Sequence, residues 1–79
     1  MIKVLLFAGL AEKLGKKELV IDHLPESVAG LAEWLKREYP LASGDLERCM
    51  IALNEQYASP GAKLKKNDVV AFIPPVSGG

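Results

Sequence analysis

A single segment of the sequence, residues 27–39, has the periodicity of a helix long enough to cover a sheet. Ser27 is a plausible N-cap for this helix, and Pro40 is expected to end it. The remaining apolar runs have the length of strands. Because one helix covers only one face of a sheet, the other face needs a separate explanation. The apolar positions with helical spacing are Val28, Leu31, Ala32, Leu35 and Tyr39.

The strand-length runs flank this helix on both sides. Two precede it and are expected to form a hairpin with a long connection, in which Gly9 and "KLGKK" form a loop and turn. After the helix, "LASGDLER" is predicted to be a loop or a single helical turn. The predicted strands are residues 2–8, 17–22, 49–54, a short piece around Tyr57, and residues 67–73.

The order of these elements predicts an α+β fold of the β-grasp (ubiquitin-like) type. Its mixed sheet has four to five strands, with one main helix packed on one face. A chain of 79 residues supports one core, so residues 1–79 are expected to form a single domain. Within it, residues 74–79 are predicted to be a flexible C-terminal tail.

The first and last predicted strands are apolar on both sides, so alternation alone leaves either face as the inner one. We predict that Val70 and Phe72 face the core. An uncovered apolar patch then remains, which would mark a protein interface. In the alternative, the loop over residues 54–66 folds back and covers that patch. The predicted patch consists of Leu5, Phe7, Ala71 and Ile73, joined by Tyr57.

The charge balance argues against several classes of partner. Ten Lys and Arg residues balance ten Asp and Glu residues, so no net field attracts nucleic acid or an anionic membrane. The basic run "AKLKKND" is interrupted by Leu64 and is expected to be a solvated turn. No apolar run approaches the roughly 20 residues of a membrane helix. We therefore expect a cytoplasmic protein with no nucleic-acid or membrane partner.

Cys49 and His23 each occur once in the sequence. A single cysteine cannot form a disulfide or a cysteine metal site within one chain, and none is expected. Cys49 lies in an apolar run and is predicted to be a small buried hydrophobe. His23 has no partner at ligand spacing and is expected at the surface, so no metal site is predicted.

The final stretch, "AFIPPVSGG", combines a strand, two prolines and two glycines. Pro74 and Pro75 cannot donate ladder hydrogen bonds, so they end the strand and favour an extended course. Gly78 and Gly79 have no Cβ and can pass through a narrow channel. We expect Gly79 to be the carboxyl terminus, with an ionised carboxylate able to attack phosphorus. The alternative is a frayed tail without a function.

Three stretches of the sequence together carry a family resemblance. "VAFIPPVSGG", "MIKVLLFAGLAEKLG" and "ALNEQY" resemble the MoaD family, the small subunits of molybdopterin synthase among the ubiquitin-like sulfur carriers. Many members have a second aromatic residue where Ile73 stands and Asp-Gly-Asp where "KND" stands. The first difference bears on interface packing, and the second bears only on the turn.

The resemblance implies a sulfur-carrier cycle centred on Gly79. A MoeB-like adenylating enzyme would use ATP and Mg²⁺ to form a glycyl adenylate, which becomes a C-terminal thiocarboxylate, 1-thioglycine. In a MoaE-like large subunit, expected to form a heterotetramer with this chain, it would donate sulfur to cyclic pyranopterin monophosphate. The chain would thus be the sulfurtransferase's sulfur-donating subunit, with no permanently bound cofactor and with the catalytic groups in its partners.

The resemblance also implies roles for individual residues. Gly79 carries the reacting carboxylate and Gly78 gives access to it. The remaining partner-binding residues are Phe7, Tyr57, Ile73, Pro74, Pro75, Val76 and Ser77.

Three other functions stay open at this point. The chain could be a sulfur carrier for thiamine or tRNA thiolation, using the same terminal chemistry. It could be a ubiquitin-like protein modifier, joined through Gly79 to a lysine of another protein. It could also be a β-grasp interaction module whose tail has no chemical role.

Overall fold

The computed structural model describes residues 1–75 of the chain. These residues form one mixed sheet with short helices packed against it. The strands are β1 (Ile2–Leu6), β2 (Glu18–Ile21), β3 (Met50–Leu53), β4 (Gln56–Tyr57) and β5 (Val69–Ile73). The helices are α1 (Ala8–Leu14), α2 (Val28–Glu38), a 3₁₀ turn (Pro40–Ala42) and α3 (Ser43–Arg48).

The strand order across the sheet is β2-β1-β5-β3-β4. Strand β5 runs parallel to β1 and antiparallel to β3, and β1 and β2 form an antiparallel pair. The register pairs Leu6 with Phe72 and Ala52 with Ala71. The prediction of a β-grasp fold with a mixed sheet is confirmed.

Helix α2 begins and ends where the sequence predicts. The Oγ of Ser27 accepts a hydrogen bond from the N–H of Gly30 at 3.2 Å, and α2 ends at Glu38, before Pro40. The N–H groups of Val28 and Ala29 donate to carbonyls of a distant loop, at 2.9 and 2.8 Å. These bonds satisfy donors that the first turn of a helix cannot pair internally.

The hydrophobic core lies between α2 and one face of the sheet. Phe72 and Val70 have no exposed surface, which confirms their predicted inward orientation. Alternation then directs their neighbours in β5 to the opposite face. The other fully buried large side chains are Ile2, Val4, Leu10, Val28, Leu31 and Leu35.

The predicted loop between the first two strands is wrong, because α1 occupies much of it. Leu10 is buried against the core, and Gly15 ends the helix in the left-handed conformation with φ +71°. Seven residues are too few to give a clear helical period, and Gly9 is typical of a loop. Tertiary packing of Leu10 stabilises a helix that its local sequence does not predict.

The loop over residues 54–66 does not cover the sheet face opposite α2, so that alternative is wrong. Its Leu64 is buried in the core, and the N–H of Leu64 donates to the carbonyl of Glu26 at 3.2 Å. A further bridge joins Lys63 to Ser27. The loop therefore passes the start of α2 and leaves the opposite sheet face accessible.

The helices within residues 1–75 are short, with 11 residues in the longest, α2. None of them combines the length and the apolar character needed to cross a bilayer.

Candidate functional site

The candidate site is the sheet face opposite α2, which we call the open face. A depression of about 360 Å³ lies at its centre. Phe7 is 45% exposed and Tyr57 is 73% exposed, although both are large side chains. The depression is lined by Leu5, Phe7, Ala52, Glu55, Tyr57, Val69, Ala71 and Ile73.

All five residues of the predicted patch line this depression. Strand pairing explains their proximity, because Leu5 pairs with Ala71 and Ala52 pairs with both Ala71 and Tyr57. Sequence reasoning missed Ala52 in the patch, because the register between β3 and β5 cannot be read from either strand alone. Val69 also belongs to the patch, and its place follows from the alternation along β5.

The edge of the open face is polar. On its β2 side, the Nζ of Lys3 lies 3.8 Å from the Oε1 of Glu18, and both side chains are half exposed. On the β4 side, the depression is bordered by Glu55. An apolar centre with a charged rim is the usual arrangement of a protein–protein interface.

A second depression of about 630 Å³, which we call the exit groove, adjoins the first. It shares Phe7 and Ile73 with the open face and continues along the residues that follow β5. The exit groove is lined by Phe7, Ala8, Gly9, Leu10, Lys13, Asp45, Ile73, Pro74 and Pro75.

An ion pair borders the exit groove. The Nζ of Lys13 donates to the Oδ2 of Asp45 at 2.5 Å, and the guanidinium of Arg48 donates to Oδ1 at 3.0 Å. The hydrogen bond from Lys13, aided by the positive charges of both partners, lowers the pKa of Asp45 below its ordinary value. Lys13 and Asp45 are 32 positions apart in the chain, and their sequence context gives no signal that they meet.

Pro74 and Pro75 lie directly after the end of β5 and line the exit groove. The other predicted residues of the tail, Val76, Ser77, Gly78 and Gly79, lie outside the described residues.

A network of hydrogen bonds made by the side chains of Asn54 and Asp68 holds the start of β5. Asp68 accepts hydrogen bonds from the Nδ2 of Asn54 at 2.9 Å and from the N–H of Lys65 at 2.7 Å. The N–H of Val69 donates to the Oδ1 of Asn54 at 2.9 Å. Asn67, in the "KND" turn, has a φ of +70°, a conformation that glycine and asparagine tolerate best. The departure from Asp-Gly-Asp thus leaves the turn intact.

Cys49 is half-buried, close to its predicted environment. Burial, with a smaller contribution from the negative charge of Asp45, raises the pKa of the thiol to about 11. The Sγ also donates to the carbonyl of Asp45 at 3.2 Å. A thiol in this environment is a poor nucleophile at neutral pH. In the part of the chain described, no three His, Cys, Asp or Glu side chains group to hold a metal.

A family model described as the ThiS family matches residues 4–79. The chain belongs to the ThiS family. The molybdopterin synthase sulfur carrier subunit of Dictyostelium discoideum is 44% identical over 81 residues, covering 98% of this chain and 94% of the relative. The resemblance to the small subunits of molybdopterin synthase is therefore confirmed.

Two solved structures resemble this ThiS-family chain over nearly its whole length. The small archaeal modifier protein 1 of Methanosarcina acetivorans has a TM-score of 0.81 and 29% identity, with 99% of this chain and 95% of that chain covered. A chain from the complex of subunits 1 and 2 of the molybdopterin-converting factor of Helicobacter pylori has a TM-score of 0.70 and 25% identity. The match covers 99% of this chain and 97% of that chain.

Proposed function

We propose that this chain is the sulfur carrier subunit of a molybdopterin synthase. The observation that carries the proposal is the apolar open face, which continues through Phe7 and Ile73 to the point where the chain leaves β5. A partner docked on this face is in position to receive the residues that follow Pro75. The relative from Dictyostelium discoideum, with its matching name, supports the same function.

The proposed chemistry takes place at the carboxylate of Gly79. A MoeB-like enzyme with ATP and Mg²⁺ forms the glycyl adenylate and releases pyrophosphate. The terminal sulfur of a persulfide attacks the acyl carbon and AMP leaves. Reduction of the acyl disulfide by a thiol then releases the thiocarboxylate.

In the second half of the cycle the open face docks on a MoaE-like large subunit. The thiocarboxylate then donates sulfur to cyclic pyranopterin monophosphate, and two such transfers complete the dithiolene of molybdopterin. The complex of subunits 1 and 2 from Helicobacter pylori supports a large subunit as the partner. We further propose a heterotetramer of two large and two small subunits, located in the cytoplasm.

The chain's own residues position the terminus in this mechanism. Strand β5 is paired on both sides, by β1 and β3, so it gives the tail a fixed base. Pro74 and Pro75 restrict φ in the next two residues and direct the chain outward. The acid, base and phosphate-binding groups belong to the adenylating enzyme and the large subunit.

Intact-mass spectrometry tests the proposal. The chain is incubated with a MoeB-like enzyme, ATP, Mg²⁺, a persulfide donor and a thiol reductant. We expect it to become about 16 Da heavier as oxygen is replaced by sulfur, and to stay unchanged when Gly79 is deleted. Adding the large subunit and the pterin precursor should return the original mass and yield molybdopterin. A carrier for thiamine or tRNA thiolation would gain the sulfur but fail this second step.

Protein modification is a second candidate, because of the similarity to the small archaeal modifier protein 1 of Methanosarcina acetivorans. A modifier forms an isopeptide bond between the carboxyl group of its terminal glycine and the amine of a lysine in another protein, with net loss of water. The same incubation in a cell extract would then yield conjugates larger than the chain. Their absence, together with the 16 Da gain, would exclude the modifier.

A further inference from the structure

The junction between β1 and α1 contains an unusual backbone conformation at Ala8. Its φ is +51°, in the left-handed region that side chains with a Cβ rarely adopt. The other non-glycine residues with positive φ within residues 1–75 are Asn54, Glu55 and Asn67, which lie in the turns before β4 and β5. Ala8 is instead the first residue of α1, and only Phe7 separates it from the end of β1.

The side chains on either side of Ala8 explain the need for this conformation. Phe7 is extended, with φ −123° and ψ 156°, and continues the alternation of β1 onto the open face. Three residues later, Leu10 is buried in the core on the opposite side of the sheet. A single left-handed residue turns the chain sharply enough to place both side chains.

The sequence also supplies a glycine beside this position but not at it. Gly9 follows Ala8, and a Cβ built on Gly9 meets nothing within 4 Å. The left-handed φ occurs at the alanine and not at the glycine. Alanine has fewer accessible backbone conformations than glycine, and its Cβ makes the left-handed conformation strained. Strain that persists next to an exposed aromatic residue points to a function for that residue's placement.

Resting on the proposed function, we infer that Ala8 is a positioning residue whose rigid left-handed backbone holds Phe7 where the open face meets the exit groove. Phe7 borders both depressions, so its ring lies where a large subunit docked on the sheet also meets the outgoing tail. A fixed ring loses little conformational freedom on binding, which strengthens the complex.

The test compares Ala8→Gly with a chemically synthesised full-length chain that has D-alanine at position 8. Glycine relieves the strain but frees the backbone, whereas D-alanine favours positive φ and keeps the backbone stiff. Both chains should melt about 2 to 6 °C above the natural chain. Ala8→Gly should bind the large subunit of molybdopterin synthase about five- to tenfold more weakly. The D-alanine chain should bind as the natural chain does.

Asn67→Gly is the matched control. It replaces another left-handed residue, with φ +70°, in the turn before β5 and outside both depressions. It should leave binding unchanged. If Ala8→Gly binds as tightly as the natural chain, or if the D-alanine chain loses affinity equally, Ala8 does not position Phe7 for docking.

Two further measurements distinguish a failure of this inference from a failure of the proposed function. The Ile73 methyl NMR shifts should move in Ala8→Gly toward their values in Phe7→Ala, and stay in place in the D-alanine chain. This readout needs no partner. If the natural chain does not bind the large subunit while these shifts behave as expected, the proposed function fails and the positioning stands. If the shifts in Ala8→Gly match the natural chain, the positioning is wrong.

Discussion

At the scale of the residue, Asp68 connects the β3–β4 turn to the start of β5. Its carboxylate accepts hydrogen bonds from the side chain of Asn54 and the backbone of Lys65. We expect Asp68→Asn to lower the free energy of unfolding near neutral pH by about 0.5–1.5 kcal/mol. The new side-chain NH₂ replaces one of the two carboxylate oxygens, so it faces one of the N–H donors that the oxygen accepted from. Thermal unfolding followed by circular dichroism measures this change.

The same substitution has a pH signature. The hydrogen bond from the Asn54 side chain, and to a smaller extent the one from the Lys65 backbone, lowers the pKa of Asp68 below 3.8 in the folded protein. The stability it contributes is therefore present above the unfolded pKa and lost as the pH falls through the folded value. The difference between Asp68→Asn and the natural chain should shrink below about pH 3.8. Asp22→Asn, at an exposed carboxylate, is the control. An equal difference at pH 3 and pH 7 would contradict the assignment.

Cys49 gives a second prediction at this scale. With a pKa of about 11, its thiol has far less thiolate at pH 7.5 than an ordinary cysteine. We expect iodoacetamide to label Cys49 roughly thirty- to a hundredfold more slowly in the folded chain than in the chain unfolded by guanidinium. Labelling is followed by intact mass. Equal rates in the two states would show that the thiol is accessible and unperturbed.

Several site residues could be predicted one by one, and others could not. The outward placement of Phe7 and Ile73 follows from alternation once Val70 and Phe72 are assigned to the core, a choice that alternation itself does not make. Ala8 gives no signal, since its sequence context does not reveal a left-handed backbone. The Lys13–Asp45 pair depends on the packing of α1 near α3, which local sequence does not specify.

At the scale of the element, the outward side of β1 and β5 defines the proposed docking surface. Phe7→Asp places a charge in the apolar centre of that surface and should weaken binding to the large subunit at least tenfold. The fold should survive, because Phe7 is already 45% exposed. Isothermal titration calorimetry measures the affinity, and circular dichroism checks the fold.

Leu41→Asp is the matched control for that prediction. Leu41 is 90% exposed and lies in the 3₁₀ turn, apart from the residues that line the open face. It should leave the affinity unchanged. If both variants bind equally well, the open face is not the docking surface. If Phe7→Asp unfolds the chain, the outward assignment of Phe7 is wrong.

The elements differed in how well the sequence predicted them. Strands β1 and β5 and helix α2 have clear periods and clear ends, including the cap at Ser27. Helix α1 has only seven residues and begins with a conformation that no helix pattern contains. Helix α1 is stabilised by the burial of Leu10 in the core, and the local sequence around Leu10 does not predict that burial.

At the scale of the whole molecule, stability and the proposed chemistry belong to different parts of the chain. The buried core residues described run from Ile2 to Phe72. Deleting residues 76–79 should therefore change the melting temperature by less than about 2 °C. The same deletion should abolish the 16 Da gain in the adenylation assay. A large loss of stability would show that the deleted residues contribute to the fold.

The overall architecture was predictable because the order of elements allows few arrangements. One long helix with two strands before it and three after it favours a mixed sheet, because the helix lets a later strand run parallel to a neighbour. The course of residues 58–66 was not predictable, because it depends on hydrogen bonds between the start of α2 and distant carbonyls of Pro60 and Ala62. Such bonds have no signature in a local stretch of sequence.

The central place of β5 determines how the molecule responds to force. Its parallel neighbour β1 begins at the other end of the chain, at Ile2. Tension applied to Pro75 and Met1 therefore pulls the two strands in opposite directions along their length. The hydrogen bonds of the ladder are loaded together, instead of opening one after another. A partner that pulls on the tail while the start of β1 is held would load this ladder in shear.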